Sequence, residues 1–437
     1  MRNCMSRLQA GIGEANRAMR LLFLSFAFPL PANNGHRMRT WSMLEALAAE
    51  GHDVTLLTFG KPGETKGHDA ALRKVCREIE IVPLVLDSLS STANYLQRLV
   101  GLFSEQPYAV RRFASSEMQA RIRQFLARGS FDAVLCDTVY SAVNLPATYV
   151  PVILNSHDVE HLVLQRYVTL ERNPAKRLYA WSEMHKLRKW EKETCHRAAI
   201  GMACSENDRQ FLSSLCPVLR VTVVPNVVDI DCYAPQREQD SSTILFQGAM
   251  DWFPNRDAVT FFVDRMLPVL KQKLPHVRFV VAGRNPSPSF VSKFAGVPGI
   301  EFTGTVPDMR CEIAKAAVCA VPLRIGSGTR LKILEAAAMA KPIVSTRVGA
   351  EGLEFVDGEE IVLADQPSDF ARAIVDLLAD PVRRRAMGLA ARRRVEIQYS
   401  MSVLRCALGQ ALAQLLAESS NAVSAAELSR VEAEVRT

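Results

Sequence analysis

The chain has 437 residues, of which 48% are hydrophobic and 23% charged, with 53 basic and 46 acidic side chains and a formal net charge of +7. At about 150 residues per domain, this length predicts two or three domains with ample core. The composition excludes a disordered, collagenous or disulfide-stapled protein, and the mild positive charge suits an anionic ligand or an acidic membrane surface without requiring nucleic acid.

Residues 1–18 read as an N-terminal extension, with Met1 or Met19 as the start. The apolar run Leu21–Leu30 follows Arg2, Arg7, Arg17 and Arg20. It is too short to span a bilayer, and no small-residue cleavage site follows it. It therefore reads as part of a buried first strand, 19–28. The loop Asn33-Asn34-Gly35-His36-Arg37 comes next, then a helix over 37–50 and strands at 52–59, 79–86, 131–138 and 150–158. Continuous apolar runs separated by helices predict a parallel sheet covered on both faces. Residues 159–200 read as one long charged helix. Its basic run Lys186–Lys192 is either a solvated face or a contact for acidic lipid.

A second cycle of strands is predicted from Val221 onward, at 221–229, 242–250, 277–284, 300–306, 317–324, 341–348 and 360–365. The expected fold class is α/β, with two doubly wound Rossmann-like domains. The first covers 19–225 and the second 226–395, with a hinge near Pro225–Pro235. Residues 396–437 form a C-terminal helix and tail, the helix crossing back to the first domain. Ten cysteines contain no Cys-x-x-Cys pair, so a zinc knuckle is not expected. Several lie in apolar runs and read as buried free thiols in a reducing, cytoplasmic setting.

The segment 322–344 carries the clearest chemistry. A strand runs into Gly326-Ser327-Gly328-Thr329, and a helix follows with Ser327 or Thr329 as N-cap. A glycine-rich turn feeding a helix N-terminus is an anion site, because free N–H groups and the helix dipole face the ligand. Arg330 and Lys332 add cations where the dipole disfavours them, a penalty that a bound diphosphate would remove. Glu335 shares a helical stripe with Leu331, Leu334 and Ala338. A carboxylate there answers either Lys332, at helical spacing, or the hydroxyls of a ligand. The segment is not a P-loop, and the first strand lacks a Gly-x-Gly-x-x-Gly fingerprint. In the first half, 155–162 (NSHDVEHL) ends a strand with a burst of polar residues, where α/β ligands bind. His157 is the leading residue, with Asp158, Glu160 and His161 as neighbours and Asp137 at another strand end.

The segments NVVD (226–229), FQGAMDWFPNRDAV (246–259), VVAGR (280–284), FTGTVPDM (302–309) and above all 326–353 resemble the nucleotide-sugar domain of retaining glycosyltransferases of family 4. The likeness extends from Met19 to about residue 415, and is strongest to sugar transferases of exopolysaccharide gene clusters. It implies a GT-B fold, two Rossmann-like domains facing across a cleft. It also implies a metal-independent sugar transfer with retention, from a UDP- or GDP-sugar to a glycan or lipid-linked acceptor, with no other cofactor. The expected setting is the cytoplasm, at the inner face of an acidic membrane, with no nucleic-acid partner. By resemblance, Glu335 holds the ribose, while Ser327 stands where the family has a glutamate eight residues earlier. The family's lysine after the first strand of this domain is missing, so Arg330, Lys332 and Arg284 are the candidate cations for the diphosphate. Asn34-Gly35 matches the family's Gly-Gly pair, which lets backbone approach phosphate. His157 matches the histidine that faces the donor sugar. A nucleotide-sugar epimerase on the same fold and a non-catalytic nucleotide-sugar-binding protein are the alternatives.

Overall fold

The computed structural model describes residues 17–61, 63, 64, 66–84, 98, 101–236 and 242–417. Most of the expected N-terminal extension, the end of the strand expected at 79–86, and the tail beyond 417 lie outside the described residues. The chain divides into two compact units. One takes the residues up to His161, Trp181–Pro225 and the segment from Leu404 onward, and the other takes Leu162–Ala180 and Asn226–Val403. The segment Leu162–Ala180, expected within the first domain, thus groups with the second.

The first unit is built on seven parallel strands: β1 (Arg20–Ser25), β2 (Asp53–Gly60), β3 (Glu78–Pro83), β4 (Ala133–Asp137), β5 (Val152–Asn155), β6 (Ile200–Ala203) and β7 (Arg220–Val223), in the order β3-β2-β1-β4-β5-β6-β7. β1 is central, with Leu22 opposite both Thr55 and Val134. Its apolar run is buried on both faces, which is why it reads as continuous rather than alternating. Helix α1 (Gly35–Ala49) follows β1 and starts two residues before the expected boundary. Asn34 caps it, with its side-chain oxygen accepting from the Arg37 N–H at 3.0 Å.

Three expectations are corrected here. The helix expected over 159–200 is two helices, α2 (Glu160–Leu170) and α3 (Pro174–Arg197). The break falls before Pro174, which cannot continue a helix but suits the first turn of a new one. β6 is not among the expected strands: its four residues, the first of which falls within the expected helix, follow a charge-rich stretch without a turn signal. β7 was expected to open the second cycle, yet it closes the first sheet beside β6. The basic run of α3 is partly engaged: Lys186 donates to the Gly101 carbonyl at 2.8 Å and pairs with Glu183, and Lys189 pairs with Glu105 at 3.1 Å.

The second unit holds six parallel strands: β8 (Thr243–Gln247), β9 (Arg278–Ala282), β10 (Ile300–Gly304), β11 (Val318–Val321), β12 (Ile343–Ser345) and β13 (Val362–Leu363). Their order is β10-β9-β8-β11-β12-β13. Counted within each unit, the second sheet runs 3-2-1-4-5-6, the doubly wound order, and the first runs the same way with a seventh strand added beside the sixth. The winding reverses beside β1 and β4 in one unit and beside β8 and β11 in the other. Such a reversal opens a crevice at the carboxyl ends of the strands. Phe262 of helix α4 (Phe253–Arg265) stacks on Phe279 of β9 at 3.9 Å between centroids, anchoring helix to sheet. In the final helix, 401–417, Leu404, Leu408, Ala411, Leu412 and Leu415 form one buried stripe. Arg405 pairs with Glu50 at 2.6 Å and Gln414 accepts from Thr222 at 2.9 Å, both within the first unit.

Among the described residues no helix is long and apolar enough to cross a membrane. Cys76, Cys136, Cys195, Cys204, Cys216 and Cys319 are buried free thiols, whereas Cys232, Cys311 and Cys406 are exposed.

The strand ends of the second unit are laced by backbone. Gly248 N–H donates to Ala282 at 2.9 Å, Met250 N–H to Arg284 at 2.9 Å, and Gly283 N–H to Gly304 at 3.1 Å. A Cβ on Gly283 would sit 2.0 Å from the Gly248 carbonyl oxygen, and its φ of +152° lies outside the range of other residues. Gly283→Ala is expected to destabilise the protein by about 2–3 kcal/mol or more. Gly51, with φ +81° and nothing within 4 Å of its Cβ position, is the control. Gly51→Ala should cost only about 1 kcal/mol, and thermal melts of the two variants compare them directly.

Candidate active site

In the second unit the chain leaves β11 and forms the loop Gly326–Arg330 before helix α5 (Leu331–Ala338). Gly326 and Gly328 have φ of +151° and +70°, conformations open to glycine. The expected N-cap is corrected. Arg330 occupies that position with no side-chain cap, because Ser327 and Thr329 lie too early in the loop. Thr329 instead accepts from the Asn226 side-chain amide at 2.6 Å. Arg330 turns back on its own loop, donating to the carbonyls of Ser327 and of Gly328, the latter at 2.6 Å. The backbone N–H groups of Gly328 and Thr329 make no hydrogen bond among the described residues. This loop end therefore offers unpaired amides beside two cations.

Glu335 lies one turn further, 8% exposed. Its Oε1 accepts from the Tyr233 hydroxyl at 2.9 Å, and its Oε2 accepts from the side-chain amide of Gln247 at the end of β8. Burial pushes the Glu335 carboxyl up to about 7, although Tyr233, Lys332 and Gln247 favour its charged form. Lys332 does not pair with it. Its ammonium donates to the Asn255 side chain at 2.9 Å and stands 4.3 Å from the centre of the Phe246 ring. Burial and the neighbouring Arg330 push the lysine down to about 7, while Glu335 pulls the other way. Arg284 is half-buried after β9, its carbonyl in the strand-end lacing.

In the first unit, His157 follows β5, and His36 opens α1 one residue after Gly35. His157 Nε2 lies 2.6 Å from Asp137 Oδ1, and its Nδ1 lies 3.1 Å from His36 Nδ1. A carboxylate only accepts, so Nε2 carries the proton toward Asp137. Asp137, at the end of β4, is fully buried and also accepts from Asn155 at 2.7 Å and Thr40 at 2.6 Å. Arg39 fixes the Asn155 amide, donating to its oxygen at 2.7 Å. Burial acts to raise the Asp137 carboxyl, but His157, His36 and Thr40 outweigh it and hold it well below the usual range. Burial, the charge on His157 and the cations Arg37 and Arg39 push His36 down to about 3, against the pull of Asp137. The donor atoms of His36, Asp137 and His157 lie within 4.8 Å of one another. A metal placed there would have to displace the hydrogen bonds that Asp137 already accepts.

The structure therefore gathers Ser327, Gly328, Thr329, Arg330, Lys332 and Glu335 in one unit, at the strand ends where Arg284 also sits. It gathers Gly35 and His157 at the strand ends of the other. Among the neighbours weighed with His157, His161 pairs with the buried Glu191 at 2.6 Å, a structural contact. Tyr233 escaped the sequence reading, and Gln247, Asn255 and His36 lie in the quoted segments without being picked out there as site residues. Gln247 had a signal, a polar residue ending an apolar strand, whereas Tyr233 had none, being distant in sequence from Glu335.

Residues 33–231 match the family described as Glycosyltransferase Family 4, and residues 241–380 match Glycosyl transferases group 1. The chain belongs to the GT-B glycosyltransferases. A Klebsiella pneumoniae relative, an uncharacterized 44.6 kDa protein in the cps region, is 23% identical over 381 residues, spanning 82% of this chain and 90% of that one. Sucrose-phosphate synthase from Thermosynechococcus elongatus shares the fold with a TM-score of 0.67 at 18% identity, over 92% of this chain and 100% of the synthase. Anabaena HepE, solved in complex with UDP and glucose, matches with a TM-score of 0.62 at 13% identity, over 90% of this chain and 99% of its own.

The low value at His36 makes this glycosyltransferase sensitive to acid. Its folded-state pKa of about 3 lies below the unfolded value near 6.5. Between these values the unfolded chain binds the extra proton, so stability falls as pH drops from 6.5 toward 3, by at most about 1.4 kcal/mol per pH unit. Urea unfolding at pH 4 to 7 should show this slope in the wild type, and His36→Gln should flatten it.

Proposed function

We propose that this glycosyltransferase moves a sugar from a nucleotide-activated donor, UDP- or GDP-linked, to a hydroxyl of a glycan or lipid-linked acceptor, with retention at the anomeric carbon. The observation that carries this reading is the loop before α5, where unpaired amides and Lys332 sit one helical turn from a buried carboxylate. The leaving group is a nucleoside diphosphate whose negative charge grows in the transition state. Amides of Gly328 and Thr329, with Lys332, would stabilise that charge electrostatically, and Arg330 would add to the field while keeping the loop in shape. Glu335 has lone pairs beyond those used by Tyr233 and Gln247, which suits it to accept from ribose hydroxyls. His157, with a proton held against Asp137, is the catalytic residue proposed in the first unit.

The UDP and glucose bound by HepE support a nucleotide-sugar donor, and the cps-region relative supports a role in exopolysaccharide or other surface-glycan synthesis. Work at the inner face of an acidic membrane is part of the same proposal, supported by the net charge of +7. No metal or other cofactor is assigned to the reaction.

A thermal-shift screen of UDP- and GDP-sugars tests the reading, since ligands that prefer the folded state raise the melting temperature. At least one donor should stabilise the wild type, and Glu335→Ala should weaken that donor about 10- to 100-fold, the worth of hydrogen bonds to a charged group. A donor bound equally well by the variant removes Glu335 from the site. NMR of the transfer product assigns the anomeric outcome, and inversion would refute retention.

Lys332 gives a pH signature. Its folded pKa of about 7 means that the ammonium is lost as pH rises past neutrality. The ratio of nucleoside-diphosphate to nucleoside affinity should therefore fall above pH 7, by at most about tenfold per unit. Lys332→Arg, which keeps its charge, should flatten the profile measured by calorimetry.

A further inference from the structure

The loop before α5 is held by a pair of side chains from outside it. Arg166 of α2 donates its Nη1 to the Gly326 carbonyl. The same guanidinium forms a two-pronged pair with Glu351, Nη1 to Oε2 at 2.6 Å and Nη2 to Oε1 at 2.7 Å. The two side chains are only 24% and 20% exposed. A bidentate guanidinium–carboxylate pair has a fixed plane, so Glu351 determines where the remaining N–H of Arg166 points.

That aim has a consequence for the backbone. In a trans peptide the carbonyl and the following N–H point in opposite directions. Drawing the Gly326 carbonyl toward Arg166 turns the Ser327 N–H to the other side of the loop. Arg330 does the same to the next two peptides by drawing the carbonyls of Ser327 and Gly328. The N–H groups of Gly328 and Thr329 are thereby turned away, and these are the two that find no partner among the described residues. Glycine has the widest backbone freedom of any residue, so a loop with Gly326 and Gly328 keeps such an orientation only if side chains impose it.

We infer that Arg166, oriented by Glu351, is a positioning residue that sets the first peptide plane of the 326–329 loop and, with Arg330 setting the next two, aims the loop amides at the pyrophosphate of the nucleotide donor. The inference rests on the reading of this loop as the pyrophosphate site. Neither residue touches the sugar in this account. They act through the peptide planes, and their loss should be felt by ligands with phosphate and not by those without.

Calorimetric titration with UDP, GDP, uridine and guanosine tests this, together with amide hydrogen exchange over 326–332 in the unliganded protein. Arg166→Ala should bind the diphosphate recognised by the wild type at least tenfold more weakly, with nucleoside affinity within about twofold of wild type, and should exchange faster in this loop than elsewhere. Glu351→Gln keeps the shape and one acceptor, so its loss should be smaller, about threefold. The double variant should be no worse than Arg166→Ala, because both act through one contact. Diphosphate binding unchanged in both single variants would overturn the clamp and leave the pyrophosphate reading standing. Equal losses for diphosphate and nucleoside would also overturn it, marking the pair as general scaffold. A wild type that binds neither diphosphate would refute the loop reading and the clamp with it.

Discussion

The second unit is arranged around a carboxylate that burial keeps near neutrality. Glu335 sits on a helix stripe of leucine and alanine, and an ionised carboxylate without partners there would cost several kcal/mol. Its compensation comes from three places in the chain: the Tyr233 hydroxyl, the Gln247 amide and the nearby Lys332 charge. Gln247 can reach it only because β8 ends where α5 begins, which the doubly wound strand order brings about. Lys332 is itself pushed down, so the two groups titrate in the same range with opposite consequences for charge. An anion arriving near Lys332 would favour its protonated form, and hydroxyls donating to Glu335 would favour its ionised form. The pair is set to become fully charged when a phosphorylated, hydroxyl-bearing ligand is present.

The first unit solves the buried-carboxylate problem in the opposite way. Asp137 is more deeply buried than Glu335, yet it stays ionised because His157, Asn155 and Thr40 all donate to it. The difference lies in partners: a histidine that can carry charge faces Asp137 at 2.6 Å, while Glu335 has only neutral donors within hydrogen-bond reach. Arg39 extends the same network by holding the Asn155 amide and the Val224 carbonyl. The result is a rigid base for the His157 ring at the strand ends.

The alternation of apolar runs and helices was enough to predict both parallel sheets, because strands covered on two faces leave continuous hydrophobic text. It missed β6, four residues directly beyond a charge-rich helix, where no periodicity has room to develop, and it found the strand β7 but assigned it to the second sheet. The glycine-rich loop and Glu335 were legible for local reasons, positive-φ turns and helical spacing. The partners that give Glu335 its character were not. Tyr233 and Gln247 come from other elements and meet it only through the fold. Arg166 was invisible for the same reason, since nothing in its own helix distinguishes it from the other arginines of the chain.

What local text could not supply, topology did. Both sheets reverse their winding beside their first strand, and in each unit the polar cluster stands at the carboxyl end of that reversal. Asp137 ends β4 and Gln247 ends β8, each the last residue of an apolar strand, where backbone pairing stops and a side chain can turn toward the crevice. The loop before α5 leaves β11, the strand beside β8 across the second reversal. The strand order thus brings residues far apart in sequence to a common edge, and the local chemistry then decides which stay charged. A polar residue closing a buried parallel strand at the point where the winding reverses is a useful pointer to a site in such sheets, even where no motif marks it.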